Sequence, residues 1–414
     1  MIHTKHISYI CLAAAISTLA AAAKPNKNPC DPAYVQQKGA ALTVLPTDHD
    51  DTANLQCAID YAAALGPGMT VRLAEHTYKT AQLVVEGFRG TIRGAGREKT
   101  VVRNGDLPMP VQNPVTWSDL PPSSSNPYPT LISVIGDDVV LSDLSIHIVG
   151  PNPTTPWYFF GTGPYTFVVP ALSAVGSKMS LSAERIEIAG SDKCFPDPEG
   201  NLLAGIEFWN FASSQQPWPT SSTLVVADSV LKSCGGIVGY DLVKSKVVVK
   251  GNKIDAVYYG LAVSDLRDSS VVASSNEINV PSNTAAGIDV WGGNLGTGIR
   301  DSSLLFLNNK LAGYTGIWLE DNWVTPDPND ATFYGKVPCA ILNNDVSQES
   351  KYGYWLRPGT YGCLIVGHGP GTVFDETGGA HTIIGVKPVG ATAQANGVKT
   401  AAPSAIRRGK GLPQ

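Results

Sequence analysis

A short phrase recurs six times between residues 205 and 359, and it restricts the fold more than any other feature of the chain. The copies are Gly205-Ile206-Glu207-Phe208-Trp209, Gly236-Ile237-Val238-Gly239-Tyr240, Gly260-Leu261-Ala262-Val263-Ser264, Gly287-Ile288-Asp289-Val290-Trp291, Gly316-Ile317-Trp318-Leu319-Glu320 and Gly353-Tyr354-Trp355-Leu356-Arg357. Their leading glycines are separated by 31, 24, 27, 29 and 37 residues. In each copy the second and fourth places are mostly apolar, while the third and fifth vary. A period of two describes a strand with one face buried. Recurrence at this spacing describes solenoid coils, each covering the open face of its neighbour.

A second repeat sets the register. Asn252, Asn276, Asn309 and Asn344 each stand two residues before an aliphatic one, namely Ile254, Ile278, Leu311 and Val346. Asparagine tolerates left-handed backbone, and its short amide can bond the backbone of the next coil. These four are therefore expected to stack at one corner of successive coils, as a ladder along an all-β parallel β-helix.

A solenoid grows by adding coils, so 414 residues need no second core. With 35 acidic and 30 basic residues the net charge is −5, which leaves no basic stripe for nucleic acid. Residues 1–23 carry Lys5, a short apolar run from Ile10 to Ile16 and an alanine-rich exit, the layout of a secretory signal peptide. The expected location is secreted or periplasmic, with no membrane span after removal of that segment. Six further cysteines in an exported chain favour disulfides. Pairing of sequence neighbours is expected: Cys30 with Cys57, Cys194 with Cys234, and Cys339 with Cys363. No Cys-x-x-Cys or Cys/His cluster suggests zinc.

Residues 24–44 read as a leader, 45–390 as the β-helix and 391–414 as a loose tail. A helix is expected from Asp51 or Thr52, with Leu55, Ile59 and Ala62 or Ala63 at helical spacing and Gly66-Pro67-Gly68 ending it. Capping and a solvated turn account for Asp48 to Asp51 better than a metal cluster does. Residues 104–130 are rich in Pro and Ser and read as a loop, and an aromatic insertion follows at 151–167. Three insertions, at 210–222, 292–301 and 321–335, leave the ladder strands at one point of the coil and are expected to wall a groove.

Asp51-Thr52 with Leu55-Gln56 and Ala58-Ile59-Asp60, then Val71-Arg72-Leu73, Thr77-Tyr78, Ile92-Arg93-Gly94 and Gly96, resembles the entry of pectin-lyase-like right-handed parallel β-helix proteins. With the later coils the resemblance spans residues 45–390. It implies a single-stranded right-handed solenoid whose open first coil is covered by a short amphipathic α-helix that prevents edge pairing. It points to no one enzyme family. Gly367-His368-Gly369 is similar to the Gly-His-Gly of polygalacturonases, but their Asn-Thr-Asp, paired aspartates and Arg-Ile-Lys are missing. The Trp-Ile-Asp-His of pectate lyases is missing too, and His368 is expected to be a turn residue.

The outward places of the six phrases hold Glu207, Trp209, Val238, Tyr240, Ala262, Ser264, Asp289, Trp291, Trp318, Glu320, Trp355 and Arg357. Four of the chain's eight tryptophans stand there, among three carboxylates and an arginine. A row of exposed aromatics marks a binding surface, and indole faces suit the apolar faces of sugar rings. Glu207, Trp209, Tyr240, Trp291, Trp318, Trp355 and Arg357 are thus expected to hold a polysaccharide or oligosaccharide. The competing reading has long loops folding over the tryptophans as a satellite core.

Asp289 and Glu320 fall on adjacent coils, offset by one outward place, so their backbones lie roughly 8 Å apart. Inverting glycosidases separate their carboxyls by about 6.5–9.5 Å. Glu207 lies about 14 Å from Asp289, too far to be its partner. Trp291 and Trp318 would desolvate one of the pair and raise its pKa, as a general acid requires. Glu320 is expected as acid and Asp289 as base, and the reverse assignment fits equally well. Hydrolysis of this kind uses no cofactor. The second reading is a polysaccharide lyase, in which Asp241 and Asp265, one place past the strand, hold Ca²⁺ and Lys244, Arg267 or Arg357 assist β-elimination on a uronate polymer. Ordinary turn chemistry explains those aspartates more simply. A third reading is a non-catalytic polysaccharide binder or adhesin.

Overall fold

The structure is a computed structural model, and it describes residues 28–104, 130–136, 138–148, 171–176, 178–189, 204–209, 221–240, 242–281, 286–291, 299, 301–320, 338–358, 360–367 and 372–388. Residues 1–23 read above as a signal peptide, the loop and insertions named above, Cys194, Asp241, His368 and residues 391–414 lie wholly or mainly outside these residues.

Period-two alternation becomes strands that pair in parallel with the strand one coil further on. Lys246–Lys250, Lys253–Ala256 and Tyr259–Ser264 make one coil, and they pair with Ser270–Ser274, Glu277–Val280 and Ala286–Trp291 of the next. Repetition builds three faces. The first is a 13-stranded sheet, and the second and third run together as an 18-stranded sheet. This is a parallel β-helix, right-handed as strand–crossover–strand connections are. Its core is a set of apolar stacks along the axis: Ile206, Ile237, Leu261, Ile288, Ile317 and Tyr354 are all 0% exposed.

The expected helix spans Thr52–Leu65 and buries Leu55, Ala58, Ile59, Tyr61 and Ala62 against the first coil. Asp51 occupies the N-cap position but makes no side-chain cap bond. Its carboxylate instead accepts from the Thr47 N–H and hydroxyl and from the Lys79 N–H, which ties the helix entry to the coil. The Cys30–Cys57 disulfide adds a covalent link to the helix. Residues 35–44, ahead of the helix, form a hairpin of Val35–Lys38 and Ala41–Val44 whose second strand pairs with Met69–Leu73.

Polar ladders hold the corners. Asn252 Nδ2 donates to Asn276 Oδ1 at 3.0 Å, Asn276 Nδ2 to Asn309 Oδ1 at 2.8 Å, and Asn309 Nδ2 to Asn344 Oδ1 at 2.8 Å. The expectation of left-handed backbone at these asparagines is corrected: the left-handed residue is the one before, Gly251, Ser275, Asn308 or Asn343, at φ of 67°, 55°, 54° and 53°. A second ladder was not anticipated. The N–H of Ser222 donates to Ser245 Oγ, that of Ser245 to Ser269 Oγ and that of Ser269 to Ser302 Oγ, at 3.3, 3.0 and 3.0 Å. A serine directly before each first-sheet strand was the available signal.

The leading glycines mark the corner between the second and third sheets, where coils come closest. A Cβ on Gly236 would stand 2.1 Å from the Gly260 carbonyl oxygen, and one on Gly260 only 2.2 Å from Ile278 Cγ2. Close approach of one coil to the next is what makes the phrase begin with glycine. Cys339 and Cys363, register partners in the first sheet, are joined as expected. Cys234 is also disulfide-bonded. Among the described residues no helix is long and apolar enough to cross a membrane.

Candidate functional site

The third places of the phrases form one continuous column on the outer face of the third sheet. Pairing runs Ser133, Ser173, Glu207, Val238, Ala262, Asp289, Trp318, Trp355 and Phe374, coil by coil. The fifth places form a parallel column containing Trp209, Tyr240, Ser264, Trp291, Glu320 and Arg357. The side chains of Trp209 and Tyr240 lie outside the described set.

The direction of these side chains follows the alternation, but their exposure does not. Glu207 is 4% exposed, Asp289 1%, and Val238 and Ala262 0%. Val238 and Ala262 form a small apolar cluster separate from the coil interior, with Tyr259 and Trp291 packed against it. The expectation of an open row from Glu207 to Arg357 is therefore corrected. Its middle is covered, and the half-buried positions are Trp291, Trp318, Glu320, Trp355 and Arg357.

The tryptophan geometry also differs from an open sugar platform. The Trp318 and Trp355 rings stack with centroids 4.6 Å apart and planes 1° from parallel, so each indole directs a face at the other. Tyr352 and Phe374 continue this aromatic cluster, stacked at 5.0 Å, and neither belonged to the expected set. Arg357, expected to meet substrate, lies with its Nε 3.2 Å from Glu376 Oε2 and its guanidinium carbon 5.5 Å from the Trp355 ring centre. Glu376 Oε2 also accepts from Trp355 Nε1 at 3.0 Å. Sequence reading missed Glu376 because Thr372 replaces the leading glycine of its coil. The pattern Val373-Phe374-Asp375-Glu376 still continues the alternation.

Asp289 and Glu320 stand as the register required. Asp289 pairs with Trp318, and Glu320 follows two residues later, just past the strand Lys310–Leu319. Burial pushes the Asp289 carboxyl well above its ordinary value, and the Glu320 charge adds to this, opposed by a hydrogen bond from the Val290 N–H. Tyr259 completes the group: burial raises its phenol first, then the charges of Asp289 and Glu320. Its ring centre lies 6.3 Å from that of Trp291.

Two polar atoms here lack hydrogen-bond partners. Asp289 Oδ1 and Trp318 Nε1 are both buried and unbonded, although their residues are register partners on adjacent coils. One is an acceptor (or an acid proton when protonated), and the other is a donor. A hydroxyl group between them would satisfy both, since it donates and accepts at once.

Of the aspartates in the calcium reading, Asp265 is buried at φ 49° in a turn, the backbone state that aspartate adopts most readily after glycine and asparagine. Among the described residues, no three His, Cys, Asp or Glu side chains group as a metal site.

No family model matches the chain, and no curated protein does. Solved structures of similar shape include tailspike protein 2 of Escherichia coli O157:H7 bacteriophage CAB120, at 11% identity and a TM-score of 0.36, covering 83% of this chain and 39% of that one. Another is the A-module of the Azotobacter vinelandii mannuronan C-5 epimerase AlgE4, at 15% identity and a TM-score of 0.29, covering 82% of this chain and 92% of that one. The chain thus spans about two fifths of the tailspike's length. The fold rests on the strand pairing above rather than on these likenesses.

Proposed function

We propose that the protein acts on a carbohydrate polymer and hydrolyses glycosidic bonds at Asp289 and Glu320. The observation that carries this reading is the open donor–acceptor pair of Trp318 Nε1 and Asp289 Oδ1 beside a second carboxyl. A sugar hydroxyl or glycosidic oxygen matches that pair chemically. In this reading Trp318 contributes a ring edge and an N–H, not an open indole face.

Burial of Asp289 supports it as the general acid, with Glu320 as the base, the reverse of the first-named assignment. A carboxyl whose pKa is raised by burial keeps its proton more readily and delivers it to the leaving oxygen as the glycosidic bond breaks. Glu320, half-buried, takes a proton from the attacking water. A backbone separation of roughly 8 Å leaves room for that water, which makes inversion the expected outcome. The disulfides suit an oxidising compartment, and export by residues 1–23 belongs to the same proposal.

The test is a polysaccharide panel read for both reducing ends and ultraviolet absorbance, with wild type beside Asp289→Asn and Glu320→Gln. New reducing ends that vanish in both variants support hydrolysis at this pair. Absorbance from an unsaturated product that survives Glu320→Gln would sink it in favour of elimination. Retention of polymer without cleavage, lost in Trp318→Ala, would leave a binder.

A further inference from the structure

The outer face of the second sheet carries a different cluster, in the early coils and away from the carboxylate pair. Lys79 on His76–Thr80 pairs with Arg103 on Thr100–Asn104, which pairs with His147 on Ser145–His147. Three nitrogen-bearing side chains thus stand in one column, about 4.8 Å apart from coil to coil. Further along the same face, charged and polar side chains find partners across coils. Lys310 Nζ lies 3.2 Å from Glu277 Oε1, and Asn279 Nδ2 donates to Asp255 Oδ1 at 3.4 Å. Asp255 and Asn279 stand further along the same column as Lys79, but Lys79, Arg103 and His147 at its early end show no such pairing with one another. Arg103 Nε and His147 Nε2 are both buried, and neither has a hydrogen-bond partner.

A buried guanidinium nitrogen without an acceptor is costly, and a neighbouring imidazole in the same condition doubles the anomaly. The missing partner must be an acceptor, and beside two fixed cations it must be negatively charged. We propose that Lys79, Arg103 and His147 form an oxyanion-binding site that takes a carboxylate, sulfate or phosphate group. The guanidinium fork fits the paired oxygens of such groups, and Lys79 adds a point charge. The groups that act on His147 are Arg103, which disfavours its protonation, and Glu187, which favours it, and burial is the largest influence and also disfavours it. A bound oxyanion supplies the missing counter-charge, so His147 takes up a proton as the ligand binds. This site stands independently of the hydrolase reading, since it shares no residue with it.

The experiment measures binding of inorganic sulfate and of an oligogalacturonate to the full chain by calorimetry at low salt, and follows the His147 ring by NMR across pH. Saturable binding is expected, with the His147 titration moving to higher pH. Arg103→Gln should weaken binding about tenfold, with circular dichroism confirming the fold, and His147→Gln should abolish the proton uptake. Glu320→Gln should bind as wild type does. Tighter binding of the oligogalacturonate than of sulfate would assign the anion to a uronate sugar, and equal binding would assign it to a free ion. Either probe binding supports the site. No saturable binding of either, or wild-type affinity in both Arg103→Gln and His147→Gln, would overturn it.

Discussion

Two rows of buried polar side chains run along this solenoid, and they are treated in opposite ways. At the corner before the second sheet, Asn252, Asn276 and Asn309 each bond the next rung through Nδ2, and each also donates to a backbone carbonyl, those of Val226, Val249 and Ala273. The next asparagine's Oδ1 takes the backbone N–H as well. On the third sheet, Asp289 is as deeply buried and its half-buried register partner Trp318 carries a buried Nε1, yet an acceptor and a donor there stay open. A fully bonded row rigidifies the coil stack, whereas a partly bonded one weakens the fold unless something else fills it. The first row reads as architecture and the second as a site.

This contrast is broken most directly at the open row. Asp289→Asn and Glu320→Gln should each lower the rate of polymer cleavage at least about a hundredfold while the melting transition survives. A rate within a few fold of wild type in either variant removes that carboxyl from the chemistry. Asp289→Asn carries a second signature. Because the folded pKa of Asp289 lies above its unfolded value, its effect is absent below the unfolded pKa and destabilises the fold as pH rises toward the folded one. The Asn variant should therefore be the more stable protein at pH 7 and lose that advantage near pH 4, seen by denaturant melts at both values.

The closed row should respond in the opposite sense. Asn276→Ala strips bonds from Asn252, Val249 and Asn309 together and should cost roughly 3 kcal/mol of stability, with catalysis per folded molecule unchanged. A loss below about 0.5 kcal/mol would show that the ladder follows the coil stacking rather than supporting it.

His381 offers a closed polar group that titrates. Its Nδ1 accepts from the Cys363 N–H at 3.3 Å, its Nε2 lies 3.0 Å from Thr360 Oγ1, and burial holds its pKa down to about 4 from 6.5. A depressed histidine contributes stability that is full above pH 6.5 and is lost as pH falls through the window from 6.5 to 4. About 3 kcal/mol should disappear across it. His381→Gln should flatten that slope in urea melts taken at half-unit pH steps. Gly236→Ala is the smallest expected effect, about 1–3 kcal/mol, because its Cβ would meet the Gly260 carbonyl oxygen and the coils must part. An unchanged midpoint would mean that the corner is looser than the 2.1 Å approach indicates.

The coil was legible in the residues because it is local and repeated. Ile206, Ile237, Leu261 and Ile288 alternate with variable residues, and that period alone dictates which side chains enter the core. The asparagine ladder was legible for the same reason, since its offset from the strand is constant. The one-place offset of Asp289 and Glu320 on adjacent coils also followed from counting places. In two stretches the regular pattern showed direction but not contacts. Arg357 continues the outward row but is engaged by Glu376, which belongs to a coil without the leading glycine. Trp318 and Trp355 are adjacent outward indoles, and adjacency in a parallel sheet stacks their faces together.

What the chain determined by itself was the direction of each side chain, inward or outward, because direction is a property of two or three consecutive dihedrals. What only the tertiary structure decided was burial. Glu207 and Asp289 point outward as their places require, yet they are 4% and 1% exposed. No local period encodes the cover over an outward position. The chemistry of Asp289 depends on that cover, because desolvation is what lifts its carboxyl toward an acid's role.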